Sequence, residues 1–296
     1  MSRAMNLWLV SCLLFAVEHA SSASIDCERC ESWNEEQAPF RIFGNTYYVG
    51  TRGLSSVLIT SPDGHVLIDG ALPQSAPLIA RHVERLGFRM SDVKVMLNSH
   101  VHFDHAGGIA ELQRISGAKV IASDVAADVL RSGKVDRRDP QFGHLPPYPG
   151  SMHVEPLGAR ERVELGGLKL KVTHTPGHTP GGTSWSWRSC EEERCLDLVY
   201  GDSLNAISDE AFSYSGDERY PSAAADMRAS IAAVAGLPCD ILIAAHPELT
   251  GLWSIFDAQG RGDRSRLIDP SACKRYAAGG KARLDERLES EKKRRL

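Results

Sequence analysis

Ser99-His100-Val101-His102-Phe103-Asp104-His105 places three imidazoles and a carboxylate in close succession, directly after the apolar run Val93-Lys94-Val95-Met96-Leu97. That run reads as a short buried strand. An extended chain continuing from it would send His100, His102 and Asp104 to one side by the period of two, where one cation meets all three. From Ala106 to Ser116 the apolar residues Ile109, Leu112 and Ile115 recur at helical spacing. His105 therefore falls where strand gives way to helix and can turn toward a neighbouring cation. Gly107 and Gly108 permit that turn to be tight.

Working outward, His178 lies in His174-Thr175-Pro176-Gly177-His178-Thr179-Pro180-Gly181-Gly182-Thr183, just after the apolar segment Leu168 to Val172. Two prolines and three glycines fix an irregular backbone there, so a ligand on it is placed in advance. His246 follows Ile241-Leu242-Ile243-Ala244-Ala245, again just beyond a buried strand. Either histidine alone is more often structural, but beside the first cluster the pair completes two three-ligand shells. Imidazole nitrogen and carboxylate oxygen suit zinc, which keeps one position open for water when it is catalytic.

The rest of the chain alternates strand and helix. Tyr47 to Val49, Ser55 to Thr60 and His65 to Asp69 read as strands, with Pro62-Asp63-Gly64 as a hairpin turn. A helix over 75–86, a strand over 119–122 and a helix over 123–131 follow. Strands near Val163 and over 168–173, 183–187, 196–200 and 241–244, with helices over 225–235 and from Ser271, complete an α/β mixture that suits a layered architecture. The proline-rich segment from Asp139 to Pro149 reads as a loop flanking the cleft, with Gln141, Phe142 and Tyr148 as candidates for shaping specificity. Asp69 ends a buried strand, from which it can support the first-cluster loop from behind. His19, His65, His82, His144, His153 and His174 match no ligand pattern, and Tyr47, Tyr48, Trp185 and Trp187 read as strand-packing aromatics. Lys281 to Leu296, rich in Arg, Lys and Glu, reads as a solvated helix end or a frayed tail.

Taken together, H-V-H-F-D-H, T-P-G-H-T-P-G-G-T-S-W, Y-G-D-S-L and A-A-H-P resemble the metallo-β-lactamase superfamily, and in detail its subclass B3. The resemblance runs from about Trp33 onward, and its motifs specify the superfamily more sharply than the substrate. It implies a four-layer αβ/βα sandwich with the metal site between two similar halves. It implies two Zn2+ ions, with His100, His102 and His178 on the first and Asp104, His105 and His246 on the second. Other subclasses supply a cysteine where this chain has Ser203, a departure that favours B3.

The activity so implied is hydrolysis of the β-lactam amide of penicillins and cephalosporins, with carbapenems a further candidate, by a hydroxide held between the ions. Asp104 would be catalytic, holding the second zinc and orienting that hydroxide. Ser203 and Asn205 would bind substrate, and Thr183 and Ser184 either join them or satisfy local backbone. Asp202 either bridges both metals, as in the superfamily's thioester hydrolases, or stands behind a ligand. Two rivals stay open: a thioester or lactone hydrolase of the same superfamily, and a non-catalytic periplasmic zinc-binding protein.

Residues 1–23 begin with Arg3, pass through an apolar core from Leu7 to Val17 and end in small residues, a secretory signal pattern too short to span a membrane. Cleavage near Ala23 is preferred over lipid attachment at Cys12, so the expected product is a periplasmic single domain over 24–296, without a membrane anchor. Cys27, Cys30, Cys190, Cys195, Cys239 and Cys273 then remain, an even set compatible with disulfides in an oxidising compartment. Their pairing stays open: Cys27 with Cys30 and Cys190 with Cys195 would close small loops, and Cys239 with Cys273, in a region where the resembled family commonly has a bridge, would pin the C-terminal helix. With 296 residues, 42% of them hydrophobic, the chain buries one sizeable core, and a net charge of -4 gives no reason to expect nucleic acid. A small-molecule substrate and a monomer are the expectation.

Overall fold

The computed structural model describes residues 24–257 and 264–294, so the expected leader, with Cys12 and His19, lies outside the described residues. Two sheets form the centre. The first runs in the order β1 (Phe40–Phe43), β2 (Thr46–Tyr48), β3 (Val57–Ile59), β4 (His65–Ile68), β5 (Val93–Leu97), β6 (Lys119–Ala122) and β7 (Val154–Pro156). Pairing is antiparallel through β4 and parallel from β4 to β7. The second comprises β8 (Arg162–Leu165), β9 (Leu168–His174), β10 (Thr183–Glu191), β11 (Arg194–Gly201) and β12 (Ile241–Ala244), antiparallel up to the parallel β11–β12 pair.

The helices are α1 (Cys30–Trp33), α2 (Ala76–Arg85), α3 (Phe103–Ala106), α4 (Ile109–Ser116), α5 (Asp124–Ser132), α6 (Ala223–Ala235), α7 (Leu252–Asp257) and α8 (Ala272–Arg294). Ser123 caps α5 by accepting from Ala126 N, and Gly117 and Gly133, both left-handed, close α4 and α5.

Side-chain alternation separates three cores. Val66, Ile68, Val95 and Leu97 meet Trp185, Leu198, Tyr200 and Ile243 between the sheets. Leu67 and Met96 face the other way, onto Ile79, Val83, Leu112 and Leu130 of α2, α4 and α5. Val199 and Leu242 pack on Met227, Ile231, Cys273 and Tyr276 of α6 and α8. Helix, sheet, sheet, helix: this is the expected four-layer αβ/βα sandwich. Strands buried on both faces read as unbroken apolar runs, which is why β4, β5 and β12 stand out in the sequence.

Disulfides join Cys27 to Cys30, Cys190 to Cys195 and Cys239 to Cys273. The second closes a hairpin in which the two cysteines face each other across β10 and β11. The third ties the start of β12 to the first turn of α8.

Three expectations need correction. The helix expected from Ala106 is two pieces, α3 and α4, broken at Gly107 and Gly108, where the backbone packs too closely for a side chain: a Cβ on Gly108 would lie 2.2 Å from the Gly70 carbonyl oxygen. β1 and β7 were not expected, being short edge strands, one ending in proline. Of the two readings of the C-terminal segment the frayed tail falls and the helix end holds: α8 runs to Arg294, mostly exposed, and buries Leu284 and Glu291.

Candidate metal centre

The site forms at the C-terminal ends of β4, β5, β11 and β12, where the parallel strands of both sheets release their chains into loops. After β5 the backbone bends at Ser99 and again at His102, whose own dihedrals are extended (φ -76°, ψ 153°), and Asp104 and His105 then belong to α3. His100 and His102 thus come together from a bent segment rather than from a continued strand, and Asp104 reaches the site from a helical turn. Among the described residues the close donor groups are His100 with His102 and His178, and His100 with Asp104 and His105, rather than the trio His100, His102 and Asp104 of the extended reading.

His178, from the β9–β10 loop, joins His100 and His102 in a triangle with each pair of ring centroids 4.8 Å apart. Asp104 Oδ2 lies 3.3 Å from His105 Nε2 and 3.4 Å from His246 Nε2, and those two nitrogens are 3.1 Å apart. The two groups adjoin, since donor atoms of His100, Asp104 and His105 also fall within 4.8 Å of one another. The structure thus brings together all six residues singled out from the sequence.

A second set of contacts orients the rings. His100 Nδ1 lies 2.8 Å from Asp202 Oδ1, His178 Nδ1 donates to the Asn205 carbonyl oxygen at 2.7 Å, and His102 Nε2 lies 2.9 Å from Asp139 Oδ2. Each ring is left with one free nitrogen facing the cluster. Asp202 accepts from Ser203 N and Thr175 Oγ1 as well, which places it behind His100 rather than between the two groups. Asp69, left-handed at φ 60°, accepts from Ser99 N and Oγ at 2.7 and 2.6 Å, from Asn98 Nδ2 at 3.1 Å and from the Tyr200 hydroxyl at 2.9 Å. It holds the first-cluster loop from behind, as its position at the end of β4 suggested.

The electrostatics suit a cation. Burial pushes His100 and His178 well below the ordinary imidazole range, and neighbouring imidazoles push the same way. Burial opposes charge on Asp104 too, but His105 and His246 outweigh it and hold the carboxyl well below its usual value. His105 moves up: burial works against its charge, and the carboxylates of Asp104, Asp69 and Asp202 overcome it. Burial drives Asp202 and Asp69 upward. Among the described residues, His100 Nε2 is a buried polar atom without a hydrogen-bond partner. Leaving such an atom unpaired costs about 1–3 kcal/mol, so a ring nitrogen orphaned beside a carboxylate fits a missing metal bond.

The other expected residues divide. Ser203 is buried and its hydroxyl also lacks a partner among the described residues, whereas the contact found for Asn205 is made by its main chain, behind His178. Ser184 accepts from Asp202 N, and Thr183 donates to the Gly181 carbonyl oxygen, both structural uses. Tyr148 is buried and donates to the Val101 carbonyl oxygen, and Phe142 is exposed. Asp139 was missed, although its place ahead of Pro140 in a turn, where its carboxylate accepts from Gln141 N at 2.8 Å, is a signal of a fixed side chain.

The family model of the metallo-beta-lactamase superfamily matches residues 49–246, which contain all six clustered side chains. The chain belongs to that superfamily. Its likeness to solved structures places it with subclass B3: MEM-A1, a subclass B3 metallo-beta-lactamase from a soil metagenome library, is 51% identical over 88% of this chain and 99% of that one, with a TM-score of 0.86. The Rm3 metallo-beta-lactamase is 52% identical over 90% of this chain and 100% of that one, with a TM-score of 0.87. A hydroxyacylglutathione hydrolase of Maricaulis maris (strain MCS10) is 28% identical over 176 residues, 59% of this chain and 55% of the relative. The chain spans about half the length of such curated relatives.

Proposed function

We propose that this chain is an exported, dizinc β-lactamase of subclass B3. The observation that carries the reading is the convergence of two adjoining donor groups, His100/His102/His178 and Asp104/His105/His246, together with a buried Ser203 hydroxyl that has no hydrogen-bond partner among the described residues. The subclass B3 metallo-beta-lactamase MEM-A1, 51% identical, and the Rm3 metallo-beta-lactamase, 52% identical, each matched along almost its whole length, support it. Zinc supplies Lewis acidity toward the amide carbonyl and brings the ionisation of water toward neutral pH.

The chain's own residues do the rest. With His100 Nε2 and His178 Nε2 given to the metal, the ring protons stay on Nδ1, where Asp202 and the Asn205 carbonyl oxygen accept them. Asp104 would be held in the second group with His105 and His246 and would accept a hydrogen bond from the attacking water. Ser203 donates to the substrate carboxylate and orients the ring. Hydrolysis breaks the amide C–N bond, with the water oxygen passing to the carbonyl carbon and a proton to the departing nitrogen.

The three disulfides support folding in an oxidising compartment, consistent with a signal sequence at 1–23, a periplasmic location and a single domain over 24–296. Among the described residues no helix is long and apolar enough to cross a membrane. The protein is read as a monomer acting on a small molecule.

The test is hydrolysis of a chromogenic cephalosporin by purified protein, beside a thioester and a lactone, with chelator and zinc add-back. Zinc-dependent cleavage of the cephalosporin is expected. Turnover confined to the thioester or lactone assigns the chain to the rival hydrolase, and zinc binding without turnover of any of the three reduces it to a binding protein.

A further inference from the structure

We infer that Asp139 is the positioning residue that commits His102 to bind metal through Nδ1, and that it couples this ligand to the loop flanking the cleft. The inference rests on the metal reading above. Asp139 is fully buried, its Oδ2 is 2.9 Å from His102 Nε2, and its Oδ1 accepts from Gln141 N at 2.8 Å. One carboxylate therefore serves both a ring of the three-histidine group and the backbone of the segment that presents Gln141 and Phe142.

The geometry of the trio makes the point specific. His100 and His178 turn Nδ1 away from the cluster, toward Asp202 and Asn205, and leave Nε2 for the ion. His102 is reversed. Its Nε2 points outward to Asp139, so only Nδ1 remains, and that atom can bind metal only while the ring proton stays on Nε2. A carboxylate opposite Nε2 enforces this tautomer because, when ionised, it only accepts. An amide in its place can turn its NH2 toward Nε2, which moves the proton to Nδ1 and blocks the coordinating atom, the tautomer error known when a triad aspartate becomes asparagine.

The loop has a second tether that does not touch the histidines. Gly143 N donates to Asp209 Oδ2 at 3.2 Å, and Asp209 N donates to the Pro140 carbonyl oxygen at 2.8 Å. This separates ordering of the loop from orientation of the ring.

The experiment measures zinc affinity of the folded chain by competition with a chromophoric chelator, with the visible spectrum of the cobalt(II)-loaded form as a second readout. Asp139→Ala is expected to weaken binding about 10–100-fold and to change the cobalt spectrum. Asp139→Asn, which keeps the volume, weakens it in the same direction and serves if the alanine variant does not fold. Asp209→Ala, which removes the Gly143 contact and the ion pair with Arg219 but keeps the main-chain bond to Pro140 and leaves Asp139 untouched, retains wild-type affinity within about twofold, within the scatter of independent sites. Wild-type affinity and spectrum in both Asp139 variants, or an equal loss in Asp209→Ala, overturns the inference. Failure of the unmutated chain to bind zinc at all instead overturns the metal reading beneath it.

Discussion

Tyr200, on β11 of the second sheet, donates its hydroxyl to Asp69 Oδ2 at the end of β4 in the first, across 2.9 Å and entirely out of solvent. The same hydroxyl lies 3.0 Å from the Ser55 carbonyl oxygen. The bond is a direct polar link between the two halves, just beneath the loop that carries His100 and His102. Tyr200→Phe leaves Asp69 one donor short and is expected to cost about 2 kcal/mol in urea unfolding, with zinc content retained because Ser99 and Asn98 still hold the carboxylate. A variant as stable as the parent would show that this link carries no energy.

Asp104 is the anion in the second donor group. Asp104→Ala is expected to lower kcat by about a hundredfold or more, the scale for losing a positioned proton acceptor, and to reduce bound zinc, at nearly unchanged fold. Steady-state kinetics beside elemental analysis decide it: full zinc content together with full rate contradicts the role.

Gly182 leaves room for Asp202. A Cβ there would sit 2.3 Å from Asp202 Oδ2 and 2.4 Å from the Thr175 carbonyl oxygen, so Gly182→Ala must displace the group that orients His100. Loss of about 1–3 kcal/mol of stability and weaker zinc binding are expected. Gly167→Ala, where a Cβ meets nothing within 4 Å, should leave both unchanged.

The Cys239–Cys273 bridge closes a separation of 34 residues, and chain entropy gives it about 3–4 kcal/mol. Replacing both cysteines with serine is expected to lower the melting temperature clearly. Removing Cys27–Cys30, with a separation of only 3, costs less.

Asp269 precedes α8, pairs with Arg275 and accepts from Ser271 N at 2.9 Å, contacts that lower its carboxyl from 3.8 to about 2. A depressed folded-state value stabilises above the unfolded value and is lost as pH falls through the folded one. Asp269→Asn should therefore cost about 1 kcal/mol at neutral pH, discounted for solvent screening, with the difference shrinking as pH falls from about 4 to about 2. Unfolding curves across that range check it.

What could be read from the letters was local. β5, β12 and the loop around His178 announce themselves by unbroken apolar runs and by clustered proline and glycine, so their histidines were found. Asp104 was found for a partly wrong reason, because an extended register and a helical turn both bring position 104 back to the cluster. Asp139 acts on His102 from 37 positions away, and Glu291 on Tyr214 from 77. No periodicity reports a carboxylate that folds back on a partner so distant, and in the sequence Glu291 is one charge among many. The edge strands escaped for a related reason: β1 and β7 gain their structure from a neighbour's hydrogen bonds more than from their own residues.

α8 holds the segment beyond β11 by its backbone. Tyr276 donates to the Asp202 carbonyl oxygen and accepts from Leu204 N, Arg283 donates to the Leu204 carbonyl oxygen, Arg287 to that of Phe212, and Glu291 accepts from Tyr214 N and Ser215 N. These grips fall on main-chain atoms, with the Arg287 contact to the Ser208 hydroxyl as a side-chain exception. Side chains facing the cleft along this stretch can thus change without loosening those main-chain bonds, so a shift in substrate can be drawn from them while the scaffold underneath stays as it is.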